Sequence, residues 1–513
     1  MKKALRIVSV LMILVMAAGM LASCNTGNET EAPKTTTPAS TAGKYEIPEW
    51  LQGLDFDGEE IGIVVSGGEL ATRSITLPDD ADPTYTVNVA VQQRNDQVEQ
   101  LLNVVLVPKE TVGMQAMVTH MREYFQSPDN TVYDIVGVYQ YFDMGLAFGA
   151  DVGSFYNFNS IEEEDMFIHP EEDYWDTNCY NVLAYEDAAF WITGDLSQEW
   201  LSTIFVSYVN AEMWKEYEDK IQDLTGVKGD IYDLVYANKW TIDLWCQLNE
   251  LVYINKDGNE AVVSGEDQHG FCGYSQASGI NNVIVDAMFS GSHVTFSKIV
   301  DGVPEIDYNN NNLKNYVNAT RKLWNESKSY TLPYNGDNTA MNIFANGNTL
   351  MTVNTLKEAE LSLADMTADY YILPPPMSTE AQGDYATTVG DSTTQFGIPK
   401  GTENLAASTA TLEALGFFSK EIVTPEYYDN CLKGRYTRGD SDDAAKMIDF
   451  TRSKVYTDFV LLWAGSMTDS VSWYLRNTIG TNVITAEARI KQSMWGKQLN
   501  HLLEELESTN WVE

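Results

Sequence analysis

The sequence predicts an α/β protein built as two lobes. Three observations carry that prediction. β-rich runs alternate with amphipathic helical runs, which predicts a largely parallel sheet covered on both faces. The 513 residues less a signal-like start of 23 leave 490, more than one core comfortably holds. No repeat of about 20–50 residues is visible, which argues against a solenoid or propeller.

The elements follow in order. The first strand is Ile61-Gly62-Ile63-Val64-Val65, leading into Ser66-Gly67-Gly68-Glu69. Val87, Ala90, Val91, Arg94, Val98, Leu101 and Leu102 recur at helical spacing and predict an amphipathic helix. Val104 to Val107 reads as the second strand, stopped by Pro108. Thr111 is then placed to cap a helix that buries Met114, Met117, Val118, Met121 and Phe125. Val132 to Val138 is the third strand. Downstream, Ser202 to Val209 reads as a strand and Ala211 to Ile221 as a helix. Thr241 caps a helix containing Ile242, Trp245, Leu248 and Val252. Phe271 to Tyr274 is a short strand before a helix around Asn282 to Phe289, and His293 to Asp307 reads as a hairpin insert. Leu350 to Val353 and Tyr371 to Leu373 are strands. The last third is mostly helical and ends with Glu487 to Leu506.

The amino end carries its own message. Lys2, Lys3 and Arg6 precede an uncharged, mostly apolar run from Ile7 to Leu21. That run is short of the roughly 20 apolar residues a membrane span needs and has the flanks of a secretory signal. It ends in Leu21-Ala22-Ser23-Cys24, which resembles the lipobox of bacterial lipoproteins. The resemblance implies a diacylglyceryl group on the Cys24 sulfur, cleavage before Cys24, and an anchor at the outer face of the cell membrane, where two acyl chains hold stably. Residues 24–44 read as a lipidated cysteine and a Thr-, Ala-, Pro- and Ser-rich tether that cannot bury enough surface to offset its ordering entropy. The folded body is expected to begin near Tyr45.

Beyond the signal, 29 basic residues face 74 acidic ones, a net charge of −45. A surface so acidic repels nucleic acid and anionic lipid. Cys179, Cys246, Cys272 and Cys431 are too widely spaced for a CxxC metal or redox site. No cofactor or metal is expected, and Glu162-Glu163-Glu164-Asp165 reads as a solvated charge run.

Several phrases, in order, resemble the family 1 extracellular solute-binding proteins, the group that includes maltose-binding protein, in its clostridial lipoprotein form. They are Gln93-Arg94-Asn95-Asp96-Gln97-Val98-Glu99, Tyr133-Asp134-Ile135-Val136, Phe205-Val206-Ser207-Tyr208-Val209-Asn210, Lys239-Trp240-Thr241-Ile242-Asp243, Tyr371-Ile372-Leu373-Pro374-Pro375-Pro376, Phe396-Gly397-Ile398-Pro399-Lys400 and Leu432-Lys433-Gly434-Arg435-Tyr436. One departure stands out. Maltose-binding members place a sugar-stacking Trp after the Met351-Thr352-Val353-Asn354 strand, where this chain has Thr355-Leu356-Lys357.

The resemblance implies a periplasmic-binding-protein-like fold of the class II type, with a ligand cleft between two lobes joined by a hinge. It implies crossings near Gln198, Val389 and Gly439. The first lobe would then take 45–198 and 389–439, and the second 199–388 and 440–513. The implied function is capture of a small solute, a mono- or oligosaccharide, by a monomer that delivers it to ABC permease subunits. A sugar needs polar side chains for its hydroxyls and aromatic rings for its C–H faces. Glu69 and Tyr139 follow the first and third strands, where open α/β sheets bind ligands, and Tyr141 is close behind. Tyr274 follows the Phe271 strand, and Asp391 lies beside the second crossing. Asp195 and Trp473 fall near an acidic and a late aromatic ligand contact of the family. Two other classes stay open at this stage: an extracellular lipoprotein glycoside hydrolase, and a peptide-binding or adhesin lipoprotein. Five histidines and the absence of HExxH and GxSxG weigh against a metalloprotease or esterase.

Overall fold

Eleven strands, β1 to β11, are assigned among the described residues of a computed structural model. It describes residues 44–77, 81–113, 116–126, 132–140, 144, 154–259, 263–274, 283–332, 339–435, 441–463, 465, 467, 471–482 and 486–508. Cys24, Tyr141 and the crossing expected near Gly439 lie outside them. Residues Met1–Ile47 and Pro48–Glu513 form separate units, and the second carries the fold described here.

The first sheet contains β1 (Glu59–Ser66), β2 (Val104–Val112), β3 (Ile135–Tyr139) and β11 (Thr394–Gly397), in the order β11-β3-β1-β2. β1 is central and buries Ile61, Ile63, Val64 and Val65. Gly62 lets the backbone of the next strand approach, since a Cβ there would lie 2.1 Å from the Val132 carbonyl oxygen. Helices Thr86–Leu102 and Leu405–Phe418 pack together over this sheet. Pro108 does not stop β2. The strand runs on to Val112, because a register shift between Ile63 and Val65 takes up the irregularity and β2 lies at the sheet edge, where a missing N–H is tolerated. Thr111 is therefore a strand residue, and the following helix starts at Met117.

The second sheet contains β4 (Phe205–Asn210), β5 (His269–Tyr274), β8 (Tyr330–Leu332), β9 (Thr349–Thr355) and β10 (Tyr370–Leu373), in the order β10-β4-β9-β5-β8. The expected hairpin insert is present as β6 (Ser297–Val300) and β7 (Val303–Ile306). Local capping follows the sequence. Asn210 accepts from the Met213 amide to start helix Ala211–Thr225, and Thr241 accepts from the Leu244 amide to start Ile242–Val252. Among the described residues Cys179, Cys246, Cys272 and Cys431 form no disulfide.

Neither sheet is purely parallel, and the exceptions have one cause. β5, β8 and β9, joined through helices, run parallel, while β4 is antiparallel to both its neighbours. In the first sheet, β11 is antiparallel to β3. β4 and β11 are the strands reached directly from segments that pass between the sheets, so helical crossovers do not set their direction. Those passing segments lie side by side. The Gly390 amide donates to the Thr203 carbonyl (2.9 Å) and the Phe205 amide to the Thr388 carbonyl (3.2 Å). A third segment joins them, with the Thr387 amide donating to Lys454 O (3.0 Å) and the Tyr456 amide to Thr387 O (2.9 Å). Among the described residues no helix is long and apolar enough to cross a membrane.

Candidate ligand cleft

β1 and β3 are parallel, so their carboxyl ends share one edge of the first sheet. At that edge the chain turns through Gly67, with φ +129°, and helix Glu69–Ile75 begins at Glu69. Only glycine takes such a φ readily. A Cβ at Gly67 would also lie 3.7 Å from the Tyr139 ring, so the loop is seated against that tyrosine. Tyr139 pairs with Thr394 at the start of β11, which brings the preceding Asp391-Ser392 to the same edge.

Helices packed beside the second sheet supply a buried cation at this place. Helix Val471–Arg476 packs on helix Val283–Gly291. From it, Arg476 donates through Nε to Asp286 Oδ1 (2.7 Å) and through Nη2 to Asp286 Oδ2 (2.5 Å) and Asp391 Oδ2 (2.7 Å). The Arg476 and Asp286 side chains are almost fully buried, whereas Asp391 keeps 27% of its side chain exposed. Burial raises the Asp286 carboxyl to about 6 against the downward pull of Arg476. Burial works against the charge on Arg476, but its two carboxylate partners outweigh it and hold the guanidinium firmly protonated. Burial also raises the Tyr139 hydroxyl, with the Asp391 charge adding to the effect. Trp473 sits on the same helix, three residues before Arg476 and therefore on a neighbouring face, half-buried.

Glu199 lies just behind this edge. It is 5% exposed, and its Oε2 accepts from the Thr394 hydroxyl at 3.3 Å. Burial pushes its carboxyl up to about 7, while the charges of Lys357 and Arg73 pull the other way.

A second charged cluster joins helix Glu69–Ile75 to the segment that follows β9. Arg73 Nε donates to Gln198 Oε1 (2.5 Å), and Arg73 Nη1 lies 3.6 Å from Glu360 Oε1. Glu360, which follows β9, accepts from the Tyr85 hydroxyl (2.8 Å) and the Tyr427 hydroxyl (3.3 Å). The guanidinium lies over both rings, 5.4 Å and 5.0 Å from their centres.

The structure thus gathers Tyr139, Asp391 and the start of helix Glu69–Ile75 at one edge, with Trp473 one helical turn from the arginine that meets them. Asp195 stands apart. It is half-buried, its amide donates to Tyr174 O (2.9 Å), and burial raises its carboxyl to about 6 in the neighbourhood of Arg452, Thr424 and Lys420. Tyr274 is 2% exposed in the second lobe. Its hydroxyl accepts from the Ala340 amide (3.3 Å) and its carbonyl from Trp324 Nε1 (2.9 Å), so its ring is a packing element. Sequence reading missed Arg476, Asp286 and Glu199. Asp286 did leave a signal: a lone carboxylate in the apolar run Val283-Ile284-Val285-Asp286-Ala287-Met288-Phe289 must find a partner once buried. Among the described residues, no group of His, Cys, Asp and Glu is arranged to hold a metal ion.

No family model and no curated relative matches the sequence. Solved structures do match. The galacto-N-biose-/lacto-N-biose I-binding protein of an ABC transporter from Bifidobacterium longum, in complex with lacto-N-biose, aligns with a TM-score of 0.52 at 12% identity, over 88% of this chain and 98% of its own. The fold is that of ABC-importer solute-binding proteins. The GacH receptor of Streptomyces glaucescens, solved unliganded and with acarbose, aligns at 0.51 and 11% identity, over 86% and 99%. A cyclo/maltodextrin-binding protein complexed with maltotetraose aligns at 0.50 and 14% identity, over 89% and 99%. The solute-binding-protein fold therefore accounts for 86–89% of the chain.

Proposed function

We propose that this chain captures a carbohydrate in the cleft between its lobes and delivers it to an ABC importer. The observation that carries the reading is the junction of Tyr139, Asp391 and Arg476, with Trp473 one turn away, at the carboxyl edge of the first sheet. Open α/β sheets take ligands at such edges. The junction offers a half-exposed carboxylate for hydroxyls and half-buried rings for a sugar face. The neighbours of this fold are binding proteins solved with sugars or sugar-like ligands, which supports the same class of solute here. A retaining or inverting glycosidase needs one carboxyl free to act as an acid. Asp286 and Asp391 are both engaged by one arginine, which favours binding over hydrolysis.

In this reading the lobes turn about 198–204, 387–393 and a third segment at 454–456, which replaces the one expected near Gly439. Glu69, Tyr139, Asp391 and Trp473 contact the sugar. Asp195 and Tyr274 act in packing. Cys24 is lipidated and holds the chain at the outer face of the cell membrane. Small-angle scattering tests the function: a bound sugar should shrink the radius of gyration as the lobes close, with no product formed. An unchanged radius at saturation, or turnover of the sugar, rules the reading out. For the anchor, mass spectrometry of the mature amino terminus should find a diacylglyceryl adduct on Cys24, and an unmodified terminus elsewhere contradicts it.

A further inference from the structure

We infer that the cleft selects by charge: it takes uncharged or amine-bearing sugars and rejects sugars that carry a carboxylate, sulfate or phosphate. The inference deepens the proposed function and rests on it. The cation that an anionic sugar would need is Arg476, and Arg476 is already held by two aspartates. The trio carries a net charge of −1. Its half-exposed member is a carboxylate, and among the described residues Asp391 Oδ1 accepts no hydrogen bond. That oxygen can receive a hydroxyl or an ammonium, but it repels a second carboxylate.

The surroundings reinforce the sign. The charge of Lys357 acts on the buried Glu199 carboxyl. Arg73 is engaged by Gln198 and Glu360. Beyond them the net charge of −45 sets a field that lowers the local concentration of anions. A site for a sugar acid would instead carry an unpaired arginine or lysine aimed at the ligand.

The test is calorimetric titration of the full mature chain at low salt with matched sets of disaccharides: neutral, with a free amine, and with a uronate or a phosphate in place of one hydroxymethyl group. Within the set that binds, the anionic member should bind on the order of 100-fold more weakly than its neutral counterpart, a repulsion expected for a charge a few ångströms from Asp391. Added salt should narrow that gap on the wild-type chain. Asp391→Asn, which makes the trio neutral, should narrow it by about tenfold or more. An anionic member that binds as tightly as its neutral counterpart overturns the inference. So does a gap that neither salt nor Asp391→Asn narrows. If no sugar of any charge binds, carbohydrate capture itself falls, and the charge rule falls with it.

Discussion

Two arginine–carboxylate junctions tie distant parts of the chain together, and what surrounds each charge sets them apart. Around Arg73 the polar atoms face inward. Glu360 is shared by two phenols and the guanidinium, the arginine is sandwiched by two rings, and the side chains keep 8% and 14% of their exposure. The work of that cluster is to hold Glu360, which follows β9, against helix Glu69–Ile75. Around Arg476 the geometry is unequal. Asp286 is buried with it, but Asp391 stays 27% exposed beside Tyr139. One junction is sealed and the other is open on a single carboxylate. A sealed ion pair fixes position, whereas an open one keeps an acceptor that a solute can reach.

Four substitutions sharpen that comparison. Arg476→Met leaves Asp286 buried without its cation, and removing one partner of a buried pair costs about 3–5 kcal/mol. Chemical denaturation should record that loss, relieved in part as pH falls, because Asp286 without the downward pull of Arg476 takes a proton above the value of about 6 that it has beside the arginine. A stability unchanged at pH 8 would mean the pair contributes nothing. Glu199→Gln comes next. The folded chain binds the Glu199 proton more tightly than the unfolded chain does, because burial raises its carboxyl to about 7. The favourable contribution of that proton is present below about pH 4.5 and is lost as pH rises through 7. The amide variant should therefore match the wild type in acid and exceed it at pH 8, by on the order of 2–3 kcal/mol. Parallel stability–pH curves for the two proteins would contradict this. The smallest effect belongs to the sealed junction. Glu360→Gln keeps an acceptor for one of the Tyr85 and Tyr427 hydroxyls, presents an NH2 donor to the other and removes the charge facing Arg73, at a cost of about 1.5 kcal/mol. It should scale the affinity for every sugar by one common factor, and a change in the preference among sugars would place Glu360 in the cleft. The fourth substitution, at Trp473, acts on binding rather than on stability.

Much of the fold was legible because its elements are locally encoded. Thr241, Asn210 and the apolar periodicity of 87–102 mark their helices with no help from distant residues. The failures come where tertiary context decides. Pro108 stays in a strand because β2 is an edge with a shifted register, and a sequence does not say which strand is at the edge. The directions of β4 and β11 depend on where the chain enters each sheet. The site was legible in part for the same reason. Tyr139 ends β3, one residue beyond the strand expected from the sequence, and could be found by position. The meeting of Arg476 with Asp286 and Asp391 spans separations of 190 and 85 residues, which no local pattern records.

Titration of the Trp473→Ala variant, beside the wild-type chain, with a sugar that the wild type binds is the most direct test of a cleft at the Arg476 junction. Trp473 lies one turn from that arginine and is half-buried, so it should stack on the sugar while contributing modestly to the fold. The variant should lose about 2 kcal/mol of binding or more, roughly 30-fold in affinity, with little change in ligand-free melting temperature. Wild-type affinity in the variant would put the sugar somewhere other than this junction.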